Sequence, residues 1–404
     1  MSLTPLDIQS SKKEILYPQN GSSFSPENGT NVIRVSLPNS KHILKSGSLR
    51  LTGSVAVSLD SASPAATENV SMNNWAGLQS LIDRVDIYSL KTGTLLESLN
   101  NYGHRMAIVN AANTGPKELN ESLFREIQTS SLPGLSQIQC QISADFSVEI
   151  MSGLLHASEQ FSLDMVGGLL LQVTLNSNAQ VLNLNAAVSK TPSFALSNVR
   201  FTANLLEPSD KWVMAAAQRF VKNGLNAKFP GTTSLLGQVV SNNDEIFNQV
   251  NFDQLRSVYW SLLNASDSHN KNSDSFALQV KDVTRCSMSV DGIQLPVKYA
   301  VTGTSDQQKC LFGRHALEAV SLSDRPSFDG VRTNISESNY TDDTDDTPAF
   351  CMGYLLDDQG TPMRNANVAV NVQSDISVQN LAYMFYDNVK TLSVSPTGMI
   401  SVSH

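Results

Sequence analysis

The chain reads as an all-β protein made of two tandem sandwiches. Three observations lead there. First, residues 146–176 hold two runs of period-two alternation: Phe146, Val148 and Ile150, then Leu169, Leu171, Val173 and Leu175. Such alternation sets one face of a strand on a core and the other toward solvent. Ser152-Gly153 and Gly167-Gly168 lie between the runs, at places where the backbone must turn sharply. Second, the plan recurs roughly two hundred residues later, a repeat on the scale of a whole fold. Residues 350–356 read as a strand, 357–360 as a turn and 366–372 as an alternating strand. Third, 404 residues suffice for two sandwiches of about two hundred residues each.

The elements follow in order. Residues 1–14 form a polar N-terminal arm, with a short strand expected around Ile15, Leu16 and Tyr17. Strands are expected over 31–38 and 49–59. In the second of these, Leu49, Leu51, Val55, Val57 and Leu59 share a face, and Gly53 marks a bulge or a close contact. Residues 60–74 are small and polar and read as a loop. Trp75, Leu78 and Ile82 suggest a helical turn, Val85, Ile87 and Tyr88 a strand, and Thr92-Gly93 a turn. Tyr102, Met106 and Val109 lie at helical spacing, and Leu119, Leu123 and Ile127 predict a second amphipathic helix over 117–128. Strands over 138–150, 169–175 and 194–206 close the first half. A helix follows, capped by Ser209, with a Trp212, Ala216 and Phe220 stripe and Gly224 just past its end.

The first sandwich is therefore assigned to residues 15–222, linker helix included, and the second to 223–404. In the second half, 234–240 and 255–263 read as strands, and 243–249 as one helical turn. Residues 264–275 form a polar loop, 276–301 two or three strands, 307–322 a helix and 323–347 a long loop. Strands over 350–356, 366–372, 381–386 and 392–402 complete the chain, with a hairpin at Thr397-Gly398.

Composition narrows the function. Charged residues make up only 16%, against about a quarter in ordinary soluble proteins. A net charge of −9 argues against nucleic-acid binding through a basic patch. Cys140, Cys286, Cys310 and Cys351 form no CxxC pair, which points to free thiols rather than zinc ligands. Residues 1–20 lack an apolar core, so a chain that is not secreted is expected, and no run suits a membrane-spanning helix. The N-x-S/T sequons at Asn28, Asn69, Asn264, Asn334 and Asn339 then mean polar loops only.

At several of these places the chain resembles the double jelly-roll major capsid proteins of tailless icosahedral DNA viruses, virophages and polinton-like viruses in particular. The resemblance rests on Leu81-Ile82-Asp83-Arg84-Val85 followed by a turn, Leu96-Glu97 and a tyrosine-bearing helix, and on the Ser152-Gly153 step. Phe161-Ser162-Leu163 stands where the family has a proline-containing strand start, and 381–403 resembles its last two strands. The resemblance implies two tandem eight-stranded jelly rolls with short helices in the connecting loops. It further implies a structural, non-enzymatic role as a homotrimer forming pseudo-hexagonal capsomers of an icosahedral shell. Implied partners are copies of itself, neighbouring capsomers, penton and minor capsid proteins and an internal lipid membrane, with no sequence-specific nucleic acid. The implied location is the virion, after synthesis in the host cytoplasm.

Catalytic, cofactor and metal residues are all expected to be absent. No P-loop, dinucleotide fingerprint, nucleophile elbow or HExxH is present. The six histidines are scattered, and His156 is expected to face solvent. The run Asp342-Asp343-Thr344-Asp345-Asp346 could hold calcium, but it lacks the glycine and closing glutamate of an EF-hand loop. A solvated loop is the stronger reading. Trp75, Trp212 and Trp260 sit in apolar patterns, so packing outweighs a role as sugar platforms. Lys12-Lys13 could touch lipid or genome, although a flexible arm is the simpler reading. Two rivals remain: a receptor- or glycan-binding β-sandwich of the spike or adhesin kind, and a β-sandwich glycoside hydrolase.

Overall fold

The computed structural model describes residues 7–59, 69–113, 137–139, 143–157, 161–183, 191–239, 243–281, 283–295, 301–302, 306–321, 333, 335–341, 348–356, 361–374 and 378–403. The expected helix over 117–128, Cys140 and the acidic run 342–346 lie outside the described residues.

The first half holds β1 (Ile8–Leu16), β2 (Val32–Leu37), β3 (Ile43–Leu44), β4 (Arg50–Leu59), β5 (Asn69–Ser71), β6 (Ile82–Ser89) and β7 (Leu95–Leu99). Helix α1 (Tyr102–Asn113) comes next, then β8 (Gln137–Gln139), β9 (Ser143–Glu149), β10 (Leu169–Leu175), the single turn α2 (Asn178–Val181) and β11 (Pro192–Pro208). Two antiparallel sheets result, ordered β1-β11-β4-β9 and β2-β10-β6-β7; β3 adds to β11, and β5 pairs with β8. The two alternating runs that organise the sequence thus enter opposite sheets. Phe146 and Val148 of β9 and Leu169, Leu171 and Val173 of β10 meet in one core. Gly53 is the expected close contact: a Cβ there would lie 2.8 Å from the Ser197 carbonyl, beside a register shift between Ser197 and Arg200.

Helix α3 (Asp210–Asn223) leads into the second half. Ser209 caps it by accepting from the Trp212 N–H at 3.2 Å, and Trp212 and Ala216 are buried. The remaining elements are β12 (Leu225–Val239), β13 (Asn243–Asn264), β14 (Val283–Val290), β15 (Ile293–Leu295), β16 (Val301–Thr302), α4 (Asp306–Ser321), α5 (Glu337–Thr341), β17 (Met352–Leu355), β18 (Thr361–Ser374), β19 (Asn380–Val394) and β20 (Ile400–Ser403).

Strand β13 serves both layers of this sandwich. Its residues 243–250 pair with β18, and its residues 255–264 pair with β19. Register shifts at Val250, Phe252 and Leu255 mark the bend, as expected where a strand changes sheets. The second half therefore repeats the first: β12-β19-β13-β17 matches β1-β11-β4-β9, and β13-β18-β14-β15 matches β2-β10-β6-β7.

Four expectations of local structure are corrected. Residues 243–249 form strand, not a helical turn. Ile246 and Val250 are four apart, a spacing that suits a helix face and a strand face equally, and pairing with β18 decides. No turn separates 386 from 392, because β19 runs unbroken from Asn380 to Val394. The first strand starts at Ile8, and its side chains are almost all exposed, so no alternation betrays it. The polar stretches 60–74 and 323–347 contain β5 and α5 respectively.

Replacing Ser209 by Ala removes the cap of α3 and is expected to cost about 1 kcal/mol, measurable by urea denaturation against the parent chain.

Candidate functional site

The most elaborate constellation in the molecule is the seam between the two sandwiches. Alternation along β13 and β19 sends Val258, Trp260, Leu262, Met384 and Tyr386 into the second core. The intervening Tyr259, Leu263, Tyr383 and Phe385 point the other way and are buried too. They pack in one cluster with Trp75 and with Ala107, Ile108 and Ala111 of α1, all from the first half, and with Ala316 and Ala319 of α4. Helix α1 is consequently buried on nearly every side. The first core in turn includes Ala227 and Phe229 of β12 and Leu392 and Val394 of β19. The β12–β19 ribbon thus passes from one core to the other.

Polar groups trapped at the seam are tied across it. Asn73 Nδ2 donates to Asp274 Oδ2 at 2.7 Å, while its Oδ1 accepts from the Trp75 and Ala76 N–H groups. Trp75 Nε1 donates to the Pro348 carbonyl at 2.8 Å. His104 stacks on Tyr383 with ring centroids 3.6 Å apart, and its Nε2 contacts the Ser275 carbonyl at 2.9 Å. Burial pushes the His104 pKa down to about 3, although the Ser275 carbonyl opposes the shift. Burial raises Asp274 instead, against its hydrogen bonds from Asn73 and the Phe276 N–H.

The Ser152-Gly153 step serves the same junction. Glu97 is buried and accepts from Ser152 Oγ and from the N–H groups of Gly153 and Leu154. A Cβ on Gly153 would sit 1.5 Å from the Pro230 carbonyl of β12, so only glycine allows that approach. Lys390 is buried nearby; burial lowers its pKa and Glu97 pulls it back up. Asp387 accepts from Thr232 Oγ1 at 2.6 Å and from Tyr259 OH at 3.3 Å.

Ser152, His156 and Glu149 lie close together but are not wired as a nucleophile and its base. The Ser152 hydroxyl goes to Glu97, while His156 Nδ1 contacts the Ser152 carbonyl and its Nε2 meets Glu149 Oε1 at 3.0 Å. His156 is half-buried rather than solvent-facing, with its side chain 21% exposed. The adjoining cavity, lined by Arg105, Gly153 and Asp387, measures about 10 Å³, room for at most one water.

Trp75, Trp212 and Trp260 are all buried, so none offers a platform to a sugar. Cys286 and Cys351 are free and buried, their thiols pushed up to about 12 by burial. Among the described residues no cluster of metal ligands occurs, and no helix is long and apolar enough to cross a membrane. The sequence reading gave no role at the seam to Glu97, His104, Asp274 or Asp387. Ser152-Gly153 was the visible signal for the first of them; the other three lie in polar or mixed stretches that read as surface.

No protein-family model matches the chain, and no curated protein matches it. Solved structures do. The Faustovirus major capsid protein aligns at a TM-score of 0.63 and 10% identity, over 97% of this chain and 92% of that one. A chain of the Sputnik virophage structure aligns at 0.59 and 11%, over 100% and 90%. The mavirus major capsid protein aligns at 0.55 and 9%, over 97% and 90%. The likeness is one of fold, and that fold is the double jelly roll.

Two outcomes follow. Gly153→Ala forces β12 away from the first sandwich and is expected to cost about 2–3 kcal/mol in a denaturation experiment. His104 stays neutral when folded, while the unfolded chain takes up its proton below about pH 6.5. Its contribution is therefore complete above that pH and is lost as pH falls toward 3. The melting-temperature advantage of the parent over His104→Phe is expected to shrink between pH 7 and pH 4.

Proposed function

We propose that this protein is a viral major capsid protein, a homotrimer whose copies form pseudo-hexagonal capsomers tiling an icosahedral shell. The observation that carries the reading is the strand-for-strand repeat of one sandwich within one chain, on a fold otherwise met in viral major capsid proteins. Two similar sandwiches per chain and three chains give six similar units around a ring. Such a tile fills a hexagonal lattice with one gene product.

The division into 15–222 and 223–404 belongs to this proposal, with residues 1–14 as the arm and the β12–β19 ribbon linking the cores. The polar loops 60–74, 264–275 and 323–347 are assigned to the outer end. Asn73 and Asp274, from the first two loops, are hydrogen-bonded, which supports a common end. Partners would be neighbouring capsomers, penton and minor capsid proteins and an internal membrane, and the location the virion. In this reading the role is structural rather than enzymatic, which the wiring of Ser152 to Glu97 instead of His156 supports.

Light scattering on the purified protein tests the reading. A particle near three times 43.8 kDa is expected; a stable monomer at high concentration would overturn it.

A further inference from the structure

A second polar cluster lies at the root of the loop 264–275, between the end of β13 and the segment that leads into β14. Lys281 Nζ donates to Asn264 Oδ1 at 2.7 Å and to Gln279 Oε1 at 2.8 Å. Asn264 Nδ2 donates to Asp267 Oδ2 at 3.1 Å, and Gln279 Nε2 donates to the same oxygen at 2.7 Å. An amine thus meets the oxygen end of a carboxamide while a carboxylate meets its nitrogen end. All four residues are half-buried.

We propose that Lys281 Nζ attacks Asn264 Cγ and joins the two residues by an intramolecular isopeptide bond, with Asp267 as the proton carrier. The reaction needs no group from outside the chain. One proton first moves from the Lys281 ammonium to the Asp267 carboxylate, which leaves a neutral amine and a carboxylic acid. The amine lone pair then forms the new bond to Cγ. Asp267 gives its proton to Asn264 Nδ2 and takes one from the attacking nitrogen. The Cγ–Nδ2 bond breaks, and its electron pair leaves with ammonia. Ammonia takes the last proton from Asp267 and departs as ammonium, so the carboxylate is restored.

Position and activation both favour this step. Gln279 holds the amine and the carboxylate, and its Oε1 also accepts from the Asn264 N–H at 3.0 Å. The Asn264 backbone is fixed by pairing with Asn380 and by the Ala265 N–H, which donates to the Gln379 carbonyl at 2.9 Å. Groups held this way react without the cost of a bimolecular encounter. The Asn264 amide has only to turn its face toward Nζ, a rotation about a broad torsion. Burial lowers the Lys281 pKa to about 8, although Asp267 opposes the shift. Neutral amine is the form in which lysine acts as a nucleophile. The bond closes residues 264–281 into a ring. That ring carries Asp274, Ser275 and Phe276, which meet Asn73 and His104 at the seam.

Mass spectrometry of the purified, folded chain tests this, whatever its state of assembly. The parent is expected to weigh one ammonia less than its sequence requires, and Lys281→Arg to keep its full mass. Trypsin is expected to leave the bond after Lys281 uncut and to release 257–271 and 272–285 as one branched peptide. Asp267→Asn is expected to lose ammonia on the order of a hundredfold more slowly than the parent. A parent that keeps its full mass on prolonged incubation, and yields 257–271 and 272–281 as separate peptides, would overturn the proposal. So would a loss of ammonia confined to a linear 257–271, which marks cyclisation of an asparagine on its own backbone. Equal rates for the parent and Asp267→Asn would overturn the role given to Asp267.

Discussion

Strand β19 and the second half of β13, residues 255–264, are buried on both faces, and the architecture follows from that constraint. One side of the pair fills the second core with Val258, Trp260, Leu262 and Met384, and the other presents Tyr259, Leu263, Tyr383 and Phe385. A single sandwich would leave that aromatic row in water, a patch that soluble proteins rarely tolerate. Trp75 and α1 cover it, which is why α1 carries almost no exposed surface and why the two halves cannot be arranged independently.

Covering an apolar face with a helix brings polar side chains into the interior. Each then needs a partner, since an unsatisfied buried polar group costs more than a hydrogen bond returns. The seam meets much of this demand with direct pairs: Asn73 with Asp274, His104 with the Ser275 carbonyl, and Glu97 with the Ser152 hydroxyl and the Gly153 and Leu154 N–H groups. These bonds add geometric specificity to a contact whose affinity comes from aromatic burial. They fix how one sandwich is rotated against the other.

Topology repeats between the halves, but the chemistry of the outer faces does not. Where the second sandwich shows Tyr259 and Phe385, the first shows Thr52, Ser147 and Arg200. An aromatic face commits its contact during folding. A face of hydroxyls and charges is stable in water, because its groups are already solvated.

Much of the strand inventory was readable from alternation alone: β4, β9, β10 and β11 each have one buried and one exposed face, so the period is plain. Two of the errors fell where that asymmetry fails. Strand β1 is exposed on both faces and β19 is buried on both, with Asp387, Asn388 and Lys390 posing as a turn while their interior partners stay invisible. The sequence by itself determined which residues form strands with a single core face, where helix α3 is capped, and that the plan occurs twice. Only the tertiary structure decided that β13 feeds both layers, that the first half covers the aromatic row, and that Glu97, His104 and Asp387 lie inside. Alternation states that a strand has two sides; what stands against the second side is set by residues a hundred or more positions away.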